Sequence, residues 1–471
     1  MRVIVVGAGV FGLSAASALR SEGHDVVVLE RSAVIPAEDA SSTDISKVVR
    51  LDYGQDRLYA RLAKQAIDKF RQWNAEDARK GKLPVYQETG VLALATKKLE
   101  QTEFERNSLM GIKELGLLDR VERLSRTPTP GDGQLFELGT QFPSKPIESL
   151  FPAWGDSPAV SKYVDGYLNK FGGYALASKV VERMAESARE MGVKFVCGRS
   201  GTLTKLVRAA SGKVTGVETI DGKVHHGDLV IMACGAWTPI LVPELDGKLV
   251  STGQSVLHFQ LPQHLVPKYS ADKFPVWFAD ISTTGFYGFP VNPTTPNLLK
   301  ISNHGPGCVN LATPPGSPHR SVSVPKTSVT DKDLTIPAKT LQEYRAFIDT
   351  TFPDLAELPV YETRLCWYTD AWDGHFYIDY VPGYGDSLMV ATGGSGHGFK
   401  FAPVLSTIIA DTFHRRSTPY TNLFRWRERP DTASRVLEST RGEHSLVSPL
   451  VLGKTEMASK KDLEGRKKEK L

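Results

Sequence analysis

At 471 residues, 41% hydrophobic and 23% charged with a net charge of +4, the chain has the composition of a soluble globular protein and no charge excess that points to nucleic acid. Its length exceeds a single ordinary core, so two domains are expected, one of them free to be inserted in the other. Four cysteines without C-x-x-C spacing, Cys197, Cys234, Cys308 and Cys366, argue against a disulfide framework or a zinc site. With no charged leader and no bilayer-length apolar run, a soluble intracellular protein with no membrane partner is expected.

The first thirty residues read as a strand, a glycine turn, a helix and a second strand ending on an acid. Val3 to Val6 form an apolar run, Gly7, Gly9 and Gly12 give G-x-G-x-x-G, Leu13, Ala16 and Leu19 recur at helical spacing, and Val26 to Leu29 precede Glu30. Gly7 permits a tight turn, Gly9 lets backbone approach a pyrophosphate, Gly12 lets helix and strand pack closely, and the helix N-terminus offers N–H groups to phosphates. Glu30 is placed to accept hydrogen bonds from ribose hydroxyls and to disfavour a 2′-phosphate. Alone, the glycines fit a flexible loop equally well; with both strands, the helix and the acid, they point to a bound adenine dinucleotide.

Beyond Glu30, Pro36 and small polar residues read as a loop over the cofactor that carries Lys47 and Arg50. A helix then begins near Asp56, with Leu58, Leu62, Ala66, Phe70 and Trp73 on one core-facing stripe. "YQETGVLALAT" reads as a strand and 127–156 as irregular connections. A helix over Ala175 to Met191, a strand over Val193 to Cys197 and a buried strand over Asp228 to Ala233 form a second block of the cofactor domain. The "CGAWT" that follows is either a backbone pass near the dinucleotide or a generic turn. From Leu249 to Arg364, strand-like pieces separated by Pro and Gly predict a separate antiparallel sheet domain. Its aromatics Trp277, Phe278, Phe286, Tyr287 and Phe289 fit a core or a pocket wall. Lys300 stands on an otherwise apolar strand, where a lysine needs a partner, an exposed face or a task. Two strands, a second glycine turn in "GGSGHGFKF" and a helix over Pro403 to Phe413 close the folded part, and the charged remainder reads as a solvated tail.

In order along the chain, the N-terminal turn, "SSTDISKVVRLDYG", "LLKISNHGPG", "RLCWYTDAWDGHFYID" and "GGSGHGFKF" resemble the motifs of one family of FAD-dependent amine oxidases. It comprises the sarcosine oxidases, the fructosyl amino acid oxidases (amadoriases) and the pipecolate and saccharopine oxidases, and the likeness spans about residues 1 to 415. The resemblance implies an α/β protein, α+β overall, with a glutathione-reductase-like Rossmann FAD domain and an inserted antiparallel-sheet substrate domain. The FAD domain is expected over 1–85, 150–248 and 365–430, the substrate domain over 86–149 and 249–364, and a charged extension over 431–471. The resemblance implies FAD surrounded by Gly7, Gly9, Val10, Phe11, Gly12, Glu30, Arg31, Ser41, Ser42, Lys47, Gly394, Gly396, His397, Gly398 and Lys400, and attached by a thioether from Cys366 to the flavin 8α-methyl.

Lys300 falls at the family's oxygen-activating lysine, His304 at an active-site histidine, and Arg50 and Lys400 at the pair that holds a substrate carboxylate. From the residues alone, Arg50 fits equally beside Asp52 or a phosphate, Lys400 fits as a cap on the glycine turn, and Cys366 fits as a buried strand cysteine. Three departures bear on the substrate: Asn303 where amadoriases have an acid, His397 where they have an arginine, and Lys47 in place of an arginine of sarcosine oxidases. They point away from a fructosyl substrate and toward pipecolate, saccharopine or an N-methyl amino acid. The implied activity is hydride transfer from the carbon beside a secondary amine to flavin N5, giving an imine, with O2 reduced to hydrogen peroxide. The alternatives are a fructosyl amino acid oxidase, a tailoring oxidase that closes a ring on the imine, a non-catalytic flavin-binding protein and a nicotinamide dehydrogenase. The final Glu-Lys-Leu approaches a peroxisomal address except for Glu469, which leaves cytoplasmic and peroxisomal locations open.

Overall fold

The computed structural model describes residues 1–126, 143–147, 154, 157–295, 297–314, 316–431 and 448–465. The strand Arg2–Val6 runs into the helix Val10–Ser21 and the chain returns as Asp25–Glu30. Successive side chains of a strand face opposite ways. Here Val3 and Val5 join a core with Leu13, Ala16 and Leu19 of the helix, while Ile4 and Val6 join another with Val214 and Val217. A strand apolar on both faces needs cover on both, which a layered parallel sheet provides.

That sheet has six strands in the order Lys194–Cys197, Asp25–Glu30, Arg2–Val6, Leu229–Met232, Leu388–Thr392 and Tyr377–Tyr380. All pairs are parallel except the last. The helices Val10–Ser21, Ala177–Glu190 and Leu405–Phe413 lie on one face, and a three-stranded sheet of Leu203–Arg208, Val214–Thr219 and Val224–His226 packs on the other. The second unit is an 11-stranded sheet. Its long strand Leu249–Gln260 pairs antiparallel with Glu362–Ala371 and with Leu298–Asn303. Trp154, Phe274, Trp277 and Phe352 fill its core together with Tyr344 and Ile348 of the helix Ala338–Thr351.

Three expectations are corrected. "YQETGVLALAT" divides at Gly90, whose φ of +81° breaks the ladder. Tyr86–Gln87 joins Gly173–Ala175 and Lys47–Val49 in a small sheet, and Val91–Ala95 joins the large one. Asp165–Asn169 and Glu362–Ala371 pair within the large sheet, so Cys366, expected in the FAD-domain segment 365–430, stands on a strand of the large sheet; ladder partners are chosen by packing between distant segments, which local pattern does not contain. Residues 448–465 are not a free tail. Leu450–Val451 pairs with Cys308–Val309, Leu452 and Ala458 are buried, and Val360 N–H donates to the Leu463 carbonyl at 2.8 Å. A few apolar side chains dock this segment although they are too sparse to show a period. Most of 127–156 and the whole of 466–471, with the final Glu-Lys-Leu, lie outside the described residues. Among the described residues all four cysteines are free thiols, and no helix is long and apolar enough to cross a membrane.

Candidate active site

Both glycine turns leave the C-terminal ends of parallel strands, the edge at which such sheets place ligands. Gly7 has φ +104°, and a Cβ there would lie 2.4 Å from the Ala233 carbonyl oxygen; a Cβ on Gly12 would lie 1.9 Å from that of Gly7. The turn therefore exists only without side chains. Phe11 fills the gap to the second turn, where a Cβ on Gly398 would come within 3.2 Å of its ring. No side chain caps the helix from Gly9, and Val10 N–H donates to Ser42 Oγ at 3.3 Å. Glu30 is fixed by the N–H groups of Ala8 and Ser32, each at 2.8 Å. Arg31 pairs with buried Asp39 at 2.8 Å and lies 4.3 Å over the Trp237 ring. A cavity of about 930 Å3 begins here and extends to Arg50, Tyr53, His304 and Lys400.

Gly7, Gly9, Val10, Phe11, Glu30, Arg31, Ser41, Ser42, Lys47, Arg50, His304, Gly394, Gly396, His397, Gly398 and Lys400 line this cavity. Gly12, Lys300 and Cys366 stand behind its wall. Gly12 serves the contact of helix with strand; Lys300 and Cys366 are buried and reach the cavity through Lys47, whose Nζ lies 3.3 Å from Cys366 Sγ and 3.1 Å from Asp44 Oδ2. Lys300 Nζ donates to the same Asp44 oxygen at 2.5 Å and to the Ser46 carbonyl at 2.8 Å, and His258 Nε2 is 3.7 Å from the other oxygen. Burial would raise the pKa of Asp44, but the Lys300 and Lys47 ammoniums outweigh it and hold the carboxyl well below its usual range. Burial, aided by the Lys47 charge, brings Lys300 down to about 8 against the pull of Asp44. Strand register makes this cluster: across Leu249–Gln260, Cys366 faces Gln254 and Lys300 faces His258.

Elsewhere in the cavity, Arg50 and Lys400 approach the ring of Tyr53, 5.5 and 4.9 Å from its centroid. Arg50 donates to the backbone carbonyl of Asp52 and lies 5.2 Å from the Phe278 ring. Lys400 Nζ donates to Tyr53 Oη at 2.8 Å and to the His397 carbonyl at 3.4 Å. Tyr53 Oη and His397 Nδ1 are 3.1 Å apart, and His397 Nε2 is 3.0 Å from the Gly374 carbonyl. A carbonyl only accepts, so Nε2 carries the ring proton, Nδ1 accepts, and the Tyr53 hydroxyl donates to it. Burial and the neighbouring Lys400 hold the pKa of His397 well below the ordinary histidine value, and burial with Arg50 holds that of Lys400 well below the ordinary lysine value.

His304 and Tyr368, ring centroids 5.9 Å apart, both press on Gly396, where a Cβ would meet Tyr368 at 2.6 Å and His304 at 3.2 Å. The aromatic cluster divides: Phe278, Tyr287 and Phe289 line the cavity, while Trp277 and Phe286 belong to the core. Tyr53 and Asp44 were missed in the sequence because neither has a period or a spacing of its own. The signal for Asp44 was indirect, the need of a buried lysine for an anion.

The model of the FAD dependent oxidoreductase family matches residues 2–412, and the chain belongs to that family. It is similar to L-saccharopine oxidase of Schizosaccharomyces pombe, 29% identical over 444 residues that cover 92% of this chain and 94% of the relative. It is also similar to the peroxisomal sarcosine oxidase of Homo sapiens, 26% identical over 424 residues, 88% and 93% of the two chains. The solved structure of fructosyl peptide oxidase from E. terrenum shares the fold, with a TM-score of 0.78 over 100% of this chain and 98% of that one at 24% identity. The glycine turns that a Cβ would fill and a cavity of about 930 Å3 that runs on from them fit an FAD, as the family requires.

Proposed function

We propose that this flavoprotein is an oxidase of secondary amines that carry a carboxylate, removing hydride from the carbon next to nitrogen to leave an imine. The observation that carries this reading is the approach of Arg50 and Lys400 to one tyrosine ring in the cavity wall, with no carboxylate within ion-pair distance of either among the described residues. Two such cations suit an anionic ligand, Arg50 through a planar fork and Lys400 through a point charge. Charge-assisted hydrogen bonds of this kind contribute about 1.5 to 3 kcal/mol each. Held by its carboxylate, the substrate presents its α-carbon in one orientation against the wall formed by His304 and Tyr368.

FAD, when bound, supplies the hydride acceptor, and dioxygen reoxidises it to give hydrogen peroxide. The N-terminal turn and Glu30 hold the dinucleotide. Cys366 forms the thioether, a reading supported by Lys47, which lines the cavity and lies 3.3 Å from its sulfur. Lys300 stabilises the negative charge that dioxygen acquires. Asn303 donates to the Thr284 carbonyl at 3.1 Å, and His397 is engaged with Tyr53 and Gly374. Neither supplies the charge that a fructosyl group meets in amadoriases, which favours substrates of the pipecolate, saccharopine or N-methyl amino acid kind. The free thiols agree with a reducing, intracellular setting.

Anaerobic mixing with N-substituted amino acids and with their decarboxylated counterparts tests the reading. The acids should bleach the flavin, and the amines should do so at least about a hundredfold more slowly, the equivalent of two lost charge-assisted bonds. Equal rates for acid and amine would remove the carboxylate clamp.

A further inference from the structure

Hydride leaves a carbon beside nitrogen only when the nitrogen has a lone pair to push, so an amino acid that arrives as a zwitterion must first lose its ammonium proton. We propose that Lys400 takes that proton: it stands uncharged before substrate binds, accepts the proton from the substrate nitrogen, and as an ammonium then holds the substrate carboxylate. The proposal rests on the oxidase reading above.

The hydrogen bonds around Lys400 run in one direction. His397 commits its Nε2–H to the Gly374 carbonyl, so Nδ1 takes the Tyr53 proton, and the Tyr53 oxygen is left to accept from Lys400 at 2.8 Å. The His397 carbonyl at 3.4 Å is the other acceptor. A neutral amine has two N–H bonds and one lone pair. The two N–H bonds meet the two acceptors, and the lone pair is left to face the cavity that Lys400 lines. The charged and titratable groups around it are Arg50, Asp52 and Tyr53 on the preceding loop, Tyr59 on the helix Arg57–Arg79, and His397 on its own turn. Asp52 is the anion among them, and its Oδ1 already accepts from the Tyr167 hydroxyl. Burial and Arg50 favour the uncharged amine, in agreement with this geometry. In the transfer the substrate N–H bond breaks and its electron pair stays on nitrogen, while the Nζ lone pair forms the new N–H bond. The zwitterion becomes an anion beside a new cation, with proton and charge conserved.

Calorimetry of the holoenzyme in buffers of different ionisation enthalpy counts the protons. Cyclohexanecarboxylate, which has the carboxylate of pipecolate but no nitrogen, should bind at neutral pH with uptake of about one proton per site. 1-Aminocyclohexanecarboxylate, whose carbon beside nitrogen carries no hydrogen to lose, should bind with almost none because it brings its own. Lys400→Met should abolish the uptake and weaken cyclohexanecarboxylate about tenfold or more. Lys400→Arg, permanently charged, should bind it without uptake, and its reduction by substrate should recover only as pH rises toward the pKa of the free amine. Binding to the unaltered protein without proton uptake, while Lys400→Met still weakens it, would overturn the proposal and leave the clamp intact. Binding that Lys400→Met does not weaken, or no binding at all, would instead overturn the clamp.

Discussion

Removing the Asp44 carboxylate, which stands behind the cavity wall, tests the oxygen side of the reaction. In Asp44→Asn the side chain keeps its size, but Lys300 loses the anion 2.5 Å away and keeps the like charge of Lys47 beside it. A hydrogen bond to a charged group contributes about 1.5 to 3 kcal/mol, and about 1.4 kcal/mol corresponds to tenfold in protonation. The midpoint of the reoxidation profile, set near 8 by Lys300, should therefore fall to between about 7 and about 6. The sign follows from the charge: Lys300 is a cation below its midpoint and neutral above it. At pH 7 the charged fraction drops from about nine-tenths to between about one-half and about one-tenth. Stopped-flow reoxidation of the pre-reduced variant by dioxygen should be about twofold to tenfold slower at that pH, and anaerobic reduction by substrate much less affected. The unaltered enzyme should lose reoxidation rate as pH rises through about 8. If the variant reoxidised at the unaltered rate from about pH 6 to about pH 9 while Lys300→Met did not, the charge of Lys300 would not depend on Asp44 and the reasoning would fail.

Acid-precipitated protein should remain yellow, and Cys366→Ser should release its FAD under the same treatment; a colourless precipitate from the unaltered protein would exclude the thioether. Gly12→Ala places a Cβ 1.9 Å from the Gly7 carbonyl oxygen, so the purified variant should have lost most of its flavin, read as the ratio of flavin to protein absorbance; an unchanged ratio would show that the turn can shift. Truncation after residue 447 removes the buried side chains of Leu452 and Ala458, at about 1.5 to 3 kcal/mol for the leucine alone. It should lower the thermal midpoint while flavin content is retained, and an unchanged midpoint would mean that the segment contributes nothing to stability.

What was legible in the sequence was whatever physics assigns to one residue type at one place. The glycines of the first turn were readable because a Cβ cannot fit there, and the strands on either side because Val3 to Val6 and Val26 to Leu29 are apolar without alternation. Lys300 stood out because charge is costly in an apolar strand, yet its partner Asp44, 256 positions away, carried no mark of its own. Membership of a sheet was not legible at all: Glu362–Ala371 has the same texture whichever sheet it joins, and only its ten-residue register with Leu249–Gln260 decides. Tyr53 stayed hidden for a related reason. Its role comes from lying between Lys400 and His397, which are contributed by the far end of the chain.

Asp44, Lys47, Arg50 and Tyr53 follow one another every third position on a single short segment, and this links the two ends of the site. Asp44 and Lys47 attend to Lys300 and Cys366, Arg50 and Tyr53 to the proposed carboxylate site. Polar residues so dense on one segment would be costly to bury unless the backbone between them were satisfied elsewhere. It is: Lys47–Val49 pairs with Gly173–Ala175, and Asn292 donates to the Ile45 carbonyl at 2.7 Å. Gly173 in turn has no room for a side chain, since a Cβ there would lie 2.0 Å from the Gln87 carbonyl oxygen. The small sheet thus fixes the spacing between the group proposed to govern dioxygen and the group proposed to orient the amine. A shift of its register by one residue would turn Lys47 away from Asp44 and Cys366 and move Arg50 relative to Tyr53 together. In the proposed reaction the two half-reactions therefore depend on one backbone path as well as on one flavin.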